Sequence, residues 1–404
     1  MTLLSNATPL RDELVRALPE RPFTVELWDG SQVPATNGAG PTFRVRSPKA
    51  LGHMLRAPGQ LGIGRAYVAG ELEVDDLDAV LSLLSGWSPP PLDRAAQLRL
   101  ALAAARAAGV SPPPRPPAAE LRPRGRRHSI ERDARAVRHH YDVSNDFFAL
   151  FLDESLTYSC ALWSRGATTL EEAQRAKLEL SCAKLALEPG MRMLDIGCGW
   201  GSLAIHAAAE HDVQVLGITL SEPQAELARR RVAERGLSDR VEIRVMDYRE
   251  LADAPFDAVA SIGMVEHVGA NQIDVYARQV GKLLRPGGNA LNHGIARLRH
   301  SDAEAGPFSE RYVFPDAAPL HVSRVLTAFE RAGLVTAHVE ELEGDYAITL
   351  EHWARRLDEH REEALRLAGP ERLRVWRLYL RAARNGFTSG FTSVYQVRCR
   401  KPRD

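Results

Sequence analysis

The chain has 404 residues, which is enough for two domains, and its 52 basic and 52 acidic residues leave no formal net charge. A neutral chain has no overall attraction to nucleic acid or to an anionic membrane, so any such attraction must be local. Hydrophobic residues make up 45% of the chain, as in an ordinary soluble protein. The four cysteines form no CxxC pair and no metal-ligand spacing, which predicts a reduced cytosolic protein without a metal site.

The N-terminal segment lacks a basic stretch followed by an apolar core, so we expect no signal peptide. No apolar run approaches the roughly 18 residues that a membrane-spanning helix needs. These two features predict a cytoplasmic protein.

Residues 1–110 predict a small α+β domain. Residues 1–20 have the pattern of a short amphipathic helix, and residues 23–28 and 43–46 alternate as strands do. A further helix is expected at residues 48–56, and an apolar helix is expected after residue 73 and through residue 84. Because the domain contains no evident catalytic cluster, we interpret it as a packing or recognition module that docks lipid or substrate.

Residues 111–134 are predicted to be a linker. Residues 111–127 contain six prolines, a density that excludes regular structure, together with five arginines. The basic character continues through Arg132, Arg135 and Arg138. Two interpretations are open. The arginines hold the protein at an anionic lipid surface, at about 1 kcal/mol for each basic residue, or they solvate a hinge.

Residues 135–404 predict a second domain, in which strands and helices alternate. Predicted strands cover residues 191–196, 213–218, 241–245, 256–262 and 290–295, and predicted helices cover residues 170–187, 203–209, 222–235 and 273–284. This order predicts an α/β fold with a Rossmann-like, mostly parallel sheet and helices on both faces. Ligands bind beyond the carboxyl ends of the strands in such sheets. There the sequence places Asp195, Thr219, Asp247, Glu266 and His293.

A glycine-rich turn follows the first of these strands. Asp195 lies at the end of the strand, glycines stand at positions 197, 199 and 201, and an apolar helix follows. This arrangement lets a ligand approach the backbone closely. The spacing differs from the G-x-G-x-x-G of dinucleotide-binding proteins, and no acid ends the second strand, which disfavours a nicotinamide cofactor. An acid just before the glycines is typical of S-adenosylmethionine methyltransferases. The alternative is a turn whose glycines serve packing alone.

Five motifs in order give the chain a family resemblance. They are His140-Tyr-Asp-Val-Ser-Asn-Asp-Phe-Phe148, Thr157-Tyr-Ser-Cys160, Leu194-Asp-Ile-Gly-Cys-Gly-Trp-Gly-Ser202, Gly263-Met-Val-Glu-His-Val-Gly269 and Arg285-Pro-Gly-Gly288. With these motifs, residues 135–400 resemble the cyclopropane-fatty-acid-phospholipid synthases and mycolic acid cyclopropane synthases. Residues 1–90 more loosely resemble the N-terminal domain of the phospholipid-acting branch.

The resemblance implies S-adenosyl-L-methionine as the cofactor. On the family pattern, Asp247 would accept a hydrogen bond from the adenine amino group, and Thr219 or Gln224 would contact the ribose hydroxyls. The cofactor-binding residues that the resemblance implies are Tyr158, Ser159, Asp195, Gly197, Cys198, Gly199, Trp200, Gly201, Ser202, Thr219, Leu220, Gln224, Asp247 and Tyr248.

The resemblance also implies methyl transfer to the double bond of an unsaturated acyl chain of a membrane phospholipid. The resulting carbocation needs nearby negative charge, aromatic faces and a dry pocket. A proton must then leave the new methyl group before a ring can close, and in this family a bound bicarbonate ion is thought to take it. The residues implied to hold bicarbonate are Glu266, His293 and Tyr346, with Cys160 and Ile295 acting through their backbones.

Several of these residues also have a simpler interpretation. Cys160 fits a small buried hydrophobe, His293 fits a satisfied core histidine, and Tyr346 fits an ordinary helix aromatic. His267, beside Glu266, is interpreted as structural.

Three positions depart from the family pattern. Leu162 stands where many relatives have tyrosine, and Asn289 and Asn292 stand where apolar residues are usual. These departures leave a second product open. The same cation would lose a different proton to give a methylene branch, which a partner reductase would convert to a methyl branch.

Two further hypotheses belong to other classes. One is a lipid-binding protein on a methyltransferase fold, and the other is a methyltransferase for a small metabolite or for nucleic acid. The balanced charge and the lack of a basic, aromatic surface argue against nucleic acid. We therefore expect a cytoplasmic protein, peripheral at the inner face of the membrane, whose partners are unsaturated phospholipid acyl chains. A homodimer is left open.

Overall fold

The structure, a computed structural model, describes residues 6–38, 40–109, 114–121, 125, 127–141, 143–301 and 306–403. The chain forms two compact units. Unit 1 comprises Met1–Leu121, Gly306–Tyr312 and Ala368–Asn385, and unit 2 comprises Arg122–Ala305, Val313–Leu367 and Gly386–Asp404. Some linker positions lie outside the described residues, namely Pro112, Pro113, Arg122, Pro123, Arg124, Arg126 and the side chain of Arg138.

The helices and strands have the following bounds. The helices are α1 (Thr8–Ala17), α2 (Lys49–Arg56), α3 (Gln60–Val68), α4 (Leu77–Gly86), α5 (Arg94–Ala108), α6 (Ile130–Tyr141), α7 (Asn145–Ala149), α8 (Leu170–Leu185), α9 (Ser202–His211), α10 (Glu222–Glu234), α11 (Ile273–Leu283), α12 (Pro307–Tyr312), α13 (Val322–Arg331), α14 (Glu343–Glu359) and α15 (Arg361–Thr388). The strands are β1 (Thr24–Glu26), β2 (Gln32–Val33), β3 (Thr42–Val45), β4 (Leu72–Val74), β5 (Arg192–Ile196), β6 (Gln214–Thr219), β7 (Val241–Val245), β8 (Phe256–Ile262), β9 (Leu284–Arg297), β10 (Leu320–His321), β11 (Val335–Glu341) and β12 (Thr392–Arg400).

Unit 1 contains a four-stranded sheet in the order β2-β1-β3-β4. Strands β1 and β3 run parallel, and the other neighbours run antiparallel. Apolar residues of α1, α2, α3 and α5 pack with this sheet in one core. A buried ion pair adds to the packing, because the Arg65 guanidinium donates to both carboxylate oxygens of Glu120 at 2.7 and 2.6 Å. The Tyr312 hydroxyl donates to the same carboxylate.

Two late segments of the chain belong to unit 1, whereas the sequence suggested a single division at residues 111–134. α15 departs from helical geometry at Gly369, whose φ is 74°. After this break Trp376 and Leu380 are buried, and the Arg381 guanidinium donates to Asp78 of α4 at 2.9 Å. An apolar helical pattern predicts burial but does not identify the core that receives the helix.

Unit 2 contains an eight-stranded sheet, and the predicted α/β fold is confirmed. Its order is β11-β12-β9-β8-β5-β6-β7, with β10 beside β9. Strands β9, β8, β5, β6 and β7 are parallel, while β12 runs antiparallel to both of its neighbours. The sequence did not predict β11, because this strand is almost entirely exposed and has no buried apolar run.

The parallel strands are covered on both faces, because successive side chains point to opposite sides of a sheet. On β5, Leu194 and Ile196 join a core with α11 and α13, whereas Met193 joins a core with α8, α9 and α10. The chain extends the sheet from β5 through β6 to β7, and then returns to β8 on the other side of β5. Ligands of open α/β sheets bind at such a reversal, so the carboxyl ends of β5 and β8 are the expected place for a site.

Among the helices that the described residues form, none combines the length and the apolar character needed to cross a bilayer.

Candidate active site

The turn between β5 and α9 holds three glycines in the left-handed region of backbone space. The φ angles of Gly197, Gly199 and Gly201 are 79°, 55° and 81°, and L side chains rarely adopt this conformation. The backbone N–H groups of Gly197 and Cys198 donate to the carbonyl of Ile218 at 2.9 and 3.0 Å. The turn is therefore held against the end of β6.

A cavity opens beside this turn, at the carboxyl ends of β5, β6 and β8. Of the fourteen residues that the sequence predicted to bind the cofactor, Gly201 does not line it. A Cβ atom on Gly201 would lie 3.3 Å from Ala228, so this glycine lets α9 and α10 pack closely. The predicted residues that do line the cavity are Tyr158, Ser159, Asp195, Gly197, Cys198, Gly199, Trp200, Ser202, Thr219, Leu220, Gln224, Asp247 and Tyr248.

One wall of the cavity carries a buried acid and a buried cation. Asp195 is 2% exposed, and burial raises the pKa of its carboxyl to about 7 while the Lys177 ammonium opposes that rise. Lys177 donates from Nζ to Ser159 Oγ at 2.9 Å, and burial lowers its pKa to about 8. An acid and a cation on one wall complement the ammonium and carboxylate groups of an amino acid.

Sequence reasoning missed Lys177 because a lysine in a helix normally faces solvent. In α8 the polar face is instead buried: Gln174, Lys177 and Ser181 are at most 1% exposed. Gln174 donates from Nε2 to the carbonyls of Thr157 and Ser159 at 3.2 and 2.8 Å. The spacing of these polar residues is visible in the sequence, but the same stripe usually indicates a solvated face.

The other end of the cavity holds the residues expected at the nucleoside. Thr219 donates from Oγ1 to Gln224 Oε1 at 3.0 Å, and both side chains are buried. The Asp247 carboxylate already accepts from Arg249, at 2.8 Å from Nε and 2.6 Å from Nη2. Arg249 also donates to Asp133 at 2.9 Å. Sequence reasoning found Asp247 but missed the Arg249 and Asp133 side chains that fix it.

Glu266 lies in a short 3-10 helix, Val265–His267, that follows β8. Its Oε1 accepts from the backbone N–H of Ile295 at 2.7 Å. Its Oε2 is buried and has no hydrogen-bond partner within the part of the chain that the structure describes. Burial raises the pKa of Glu266 to about 7, and the Ile295 N–H opposes this rise. A carboxyl group that titrates near neutrality, with one oxygen open to a ligand, can hold or move a proton.

His293 lies in β9 and is 1% exposed. The Gln396 carbonyl oxygen accepts from Lys184 Nζ at 2.7 Å, so the Gln396 amide N–H donates to His293 Nδ1 at 3.1 Å. Burial and the charges of Lys177 and Lys184 lower the pKa of His293 to about 3, so its imidazole is neutral with the proton on Nε2. This buried Nε2 has no hydrogen-bond partner among the residues that the structure describes. It is a donor aimed at an acceptor that those residues do not supply.

Cys160 and Tyr346 meet at the start of α14. Cys160 Sγ donates to the Leu342 carbonyl at 3.7 Å, and the same carbonyl accepts from the backbone N–H of Tyr346 at 3.1 Å. Burial raises the pKa of Cys160 well above its usual range, so this side chain stays a thiol. The Tyr346 ring packs against Phe387 and Trp353, with centroids 4.7 and 6.1 Å apart.

Backbone pairing brings the five predicted proton-transfer residues into one region. The Leu342 N–H donates to the Val394 carbonyl at 2.9 Å, Val394 pairs with Ile295, and Ile295 holds Glu266. Among the described residues that line the cavity, none is one of these five, so the five lie outside the cavity wall. The backbone N–H of Gly263, which does line the cavity, donates to the His293 carbonyl at 2.8 Å and joins the two regions.

His267 lines the cavity, and its structural role beside Glu266 stays a prediction. Its ring meets that of Phe314 edge-on at 5.5 Å, and burial together with nearby His128 lowers the pKa of His267 to about 4. The imidazole is therefore neutral at physiological pH.

The Rossmann-like sheet, the left-handed glycine turn and the adjoining cavity define a class I S-adenosylmethionine-dependent methyltransferase. The family model for mycolic acid cyclopropane synthetase matches residues 128–397, and the chain belongs to that family.

Individual relatives cover most of the chain. It is 37% identical over 388 residues to a probable fatty acid methyltransferase of Pseudomonas putida, covering 94% of this chain and 92% of that protein. It is 34% identical over 365 residues to the cyclopropane-fatty-acyl-phospholipid synthase of Escherichia coli strain K12, covering 90% and 89%. The solved structure of mycolic acid cyclopropane synthase CmaA1 complexed with SAH and CTAB matches with a TM-score of 0.63 at 33% identity, covering 66% of this chain and 98% of that one.

Proposed function

We propose that this protein adds a one-carbon unit from S-adenosyl-L-methionine to the double bond of an unsaturated acyl chain in a membrane phospholipid, and closes a cyclopropane ring. Two relatives support this substrate and product. One is a cyclopropane-fatty-acyl-phospholipid synthase, and the other is a cyclopropane synthase solved with CTAB, a single-chain detergent. One observation carries the proposed proton removal. Among the described residues, two buried atoms have no hydrogen-bond partner, namely Glu266 Oε2 and His293 Nε2.

The cavity residues fit the cofactor. S-adenosyl-L-methionine, when bound, supplies an electrophilic methyl group on a sulfonium. Asp195 and Lys177 would hold its amino-acid end, the glycine turn would let it approach the backbone, and Thr219 and Gln224 would reach the ribose. Asp247 keeps one face toward the cavity while Arg249 fixes its carboxylate, so it would orient the nucleoside.

Aromatic rings would stabilise the cation that forms on the acyl chain. Tyr158, which lines the cavity, stacks on Trp353 with centroids 5.1 Å apart, and Trp353 meets Tyr346 edge-on. Phe148 meets Tyr158 at 5.6 Å and Phe387 meets Tyr346 at 4.7 Å. Ring faces attract a cation most strongly where water is excluded. These five side chains therefore support a carbocation route.

Glu266 and His293 would position the proton acceptor. The two atoms offer complementary chemistry: His293 Nε2 donates a hydrogen bond, and ionised Glu266 Oε2 accepts one. Bicarbonate fits this pair, because it carries both acceptor oxygens and a hydroxyl. When bound, it supplies a base that is a weaker nucleophile toward a methyl donor than an exposed amine or thiol. Cys160, Ile295 and Tyr346 would complete its surroundings.

A second product has specific support. The Pseudomonas putida relative is named a probable fatty acid methyltransferase. A methylene-branched chain would arise from the same cation after a hydride shift and loss of a proton, and a partner reductase would then be needed to give a methyl branch. Asn292 accepts from the Tyr276 hydroxyl at 2.9 Å, and Asn289 donates to the Leu185 carbonyl at 3.1 Å. These bonds give both asparagines a structural role. Leu162, the third departure, is buried.

Membrane docking is proposed for unit 1. Helix α5 exposes Leu98 and Leu102, 61% and 46% accessible and one turn apart, on a helix that also carries arginines. Such a stripe suits the surface of a bilayer at the inner face of the membrane. Of the linker arginines, Arg132 donates to both carboxylate oxygens of Asp316 at 2.5 and 2.6 Å, and Arg127 pairs with Asp316 at 3.4 Å. Because these two arginines are paired with Asp316, they are less available to bind lipid headgroups.

The product is tested with vesicles of unsaturated phospholipid and labelled S-adenosyl-L-methionine. We expect lipid-dependent consumption of the cofactor and acyl chains that gain one methylene unit. Proton NMR then separates shielded ring protons from vinylidene protons, and so distinguishes the ring from the methylene branch. Vesicle binding without cofactor consumption would instead identify a lipid-binding protein. Methylation without lipid would identify another substrate class.

A further inference from the structure

Four metal-ligating side chains converge between α8 and α9, away from the cavity. Glu179 and Cys182 lie on α8, and His206 and His211 lie on α9. One ligand atom each from Cys182, His206 and His211 lies within 4.8 Å of the other two. The cavity lining formed by described residues includes none of the four. The sequence predicted no metal site because it compared cysteine spacings alone, and this cluster joins residues from two helices.

Glu179 completes a tetrahedral ligand number. Its Oε2 lies 3.2 Å from His206 Nε2 and 3.1 Å from His211 Nε2. Two nitrogen or oxygen ligands, each about 2 Å from a tetrahedral zinc ion, are roughly 3.3 Å apart. The two Glu179–histidine separations are close to that value. Glu179 lies outside the group whose ligand atoms are all within 4.8 Å of one another, so its carboxylate would have to approach Cys182 when the ion binds. We propose that Cys182, His206, His211 and Glu179 bind one zinc-class divalent transition-metal ion that joins α8 to α9.

The donor set selects the class of metal. A thiolate and two imidazoles favour zinc or cobalt over magnesium or calcium, which prefer oxygen ligands. When the metal–sulfur bond forms, the S–H bond of Cys182 breaks and its proton leaves to solvent. One thiolate, one carboxylate and two neutral imidazoles then balance a divalent ion, so the bound site has no net charge.

The surroundings suit a structural site with access from solvent. Cys182 is fully buried in the core that includes α9, whereas the side chains of His206, His211 and Glu179 are 14%, 20% and 53% exposed. His206 and Glu179 also line a surface groove, which gives the ion an entry path. Because α8 precedes β5 and α9 follows the glycine turn, the ion would fasten together the two helices that flank this turn.

The test uses the full-length protein and Co²⁺ as a spectroscopic probe, followed by competition with Zn²⁺. We expect one equivalent of Co²⁺ to produce the visible bands of a tetrahedral site and a near-ultraviolet thiolate-to-cobalt band, both of which Zn²⁺ removes. Zn²⁺ should also raise the melting temperature, because it binds only the folded site. Cys182→Ala should remove the thiolate band, and His211→Gln should weaken Zn²⁺ binding by more than about 10-fold.

Matched controls are Cys399→Ala, which removes another buried thiol, and His338→Gln, which removes an exposed histidine. Both should leave the spectrum and the affinity unchanged. His211 lies near the surface, so its variant keeps the test decisive if the Cys182 variant fails to fold. Three results would each overturn the site: no tetrahedral cobalt spectrum, a spectrum without the thiolate band, or Zn²⁺ affinity that His211→Gln leaves unchanged. In those cases the histidines serve only as hydrogen-bond partners of Glu179.

Discussion

Asp195 lies in β5 and Glu266 follows the neighbouring strand β8; both carboxylates are buried in unit 2, and their surroundings differ. Burial raises the pKa of both Asp195 and Glu266 to about 7. Asp195 has the Lys177 ammonium nearby, whereas Glu266 has one backbone N–H bond and an oxygen unpartnered among the described residues. A nearby cation favours the ionised form of an acid, while an open oxygen favours proton exchange. On the proposed function, we therefore expect ligand binding from the Asp195 region and proton handling from the Glu266 region.

The largest effect is expected at Glu266. Glu266→Gln keeps the bond to Ile295 N–H but removes the ionisable oxygen, so turnover on unsaturated vesicles should fall by about 10²–10⁴-fold. Cofactor affinity, measured by calorimetry, should stay unchanged because the side chain lies outside the cavity wall. Glu359→Gln, at an exposed position in α14, is the matched control. Undiminished turnover in Glu266→Gln would remove this residue from proton handling.

Lys177→Met tests the other carboxylate. The Lys177 charge favours the ionised form of Asp195, so without it the Asp195 carboxyl would bind its proton more tightly and lose part of its attraction for an ammonium group. Calorimetry should show cofactor affinity reduced by about 100-fold, with a lower melting temperature. Lys282→Met, at an exposed position in α11, should change neither quantity. Wild-type affinity in Lys177→Met would contradict the binding role of the Asp195 region.

The pKa of Glu266 also predicts how stability depends on pH. Folding raises this pKa from 4.5 to about 7, so the stabilisation is complete below pH 4.5 and is lost as the pH rises through 7. A pKa difference of this size corresponds to about 3 kcal/mol. Urea unfolding at about pH 5 and about pH 8 should show the wild type losing roughly that amount relative to Glu266→Gln. Equal pH dependence in both proteins would mean that Glu266 titrates normally.

Gln396 is expected to act as a positioning residue. Gln396→Leu removes the donor that fixes the tautomer of His293, so kcat should fall by about 10-fold while KM for lipid stays constant. Nitrogen-15 NMR of labelled histidine should show the loss of a single Nε2-protonated form. A purely structural role would lower stability without changing the tautomer signal. That result would remove Gln396 from the account of proton handling.

The smallest effect is expected at the start of α8. Thr169 and Glu172 form a capping box, and Thr169→Ala should lower the free energy of unfolding by about 1 kcal/mol. Neither kcat nor cofactor affinity should change, because the helix keeps Lys177 in place. This variant separates lost stability from lost chemistry. A fall in kcat comparable to that of Glu266→Gln would mean that lost stability alone lowers turnover, and the Glu266 result would then not identify a role in proton handling.

The sequence predicted those parts of the site that are local in the chain. The glycine turn after β5 and the parallel strands appear as short motifs and apolar runs, so their positions could be read directly. The buried Lys177 could not be predicted, because its burial depends on Ser159 and on the packing of α8. The tautomer of His293 depends on Gln396, which lies 103 residues later in β12. The α8–α9 cluster likewise exists only after two helices pack.

The most direct test of the central claim uses S-adenosyl-L-methionine with a fully deuterated methyl group and vesicles of unsaturated phospholipid. If a base held by Glu266 and His293 removes a proton from the transferred carbon, mass spectrometry will show acyl chains that carry this carbon with one deuterium lost. Acyl chains that keep every deuterium of the methyl group, or that carry no label at all, would contradict the account.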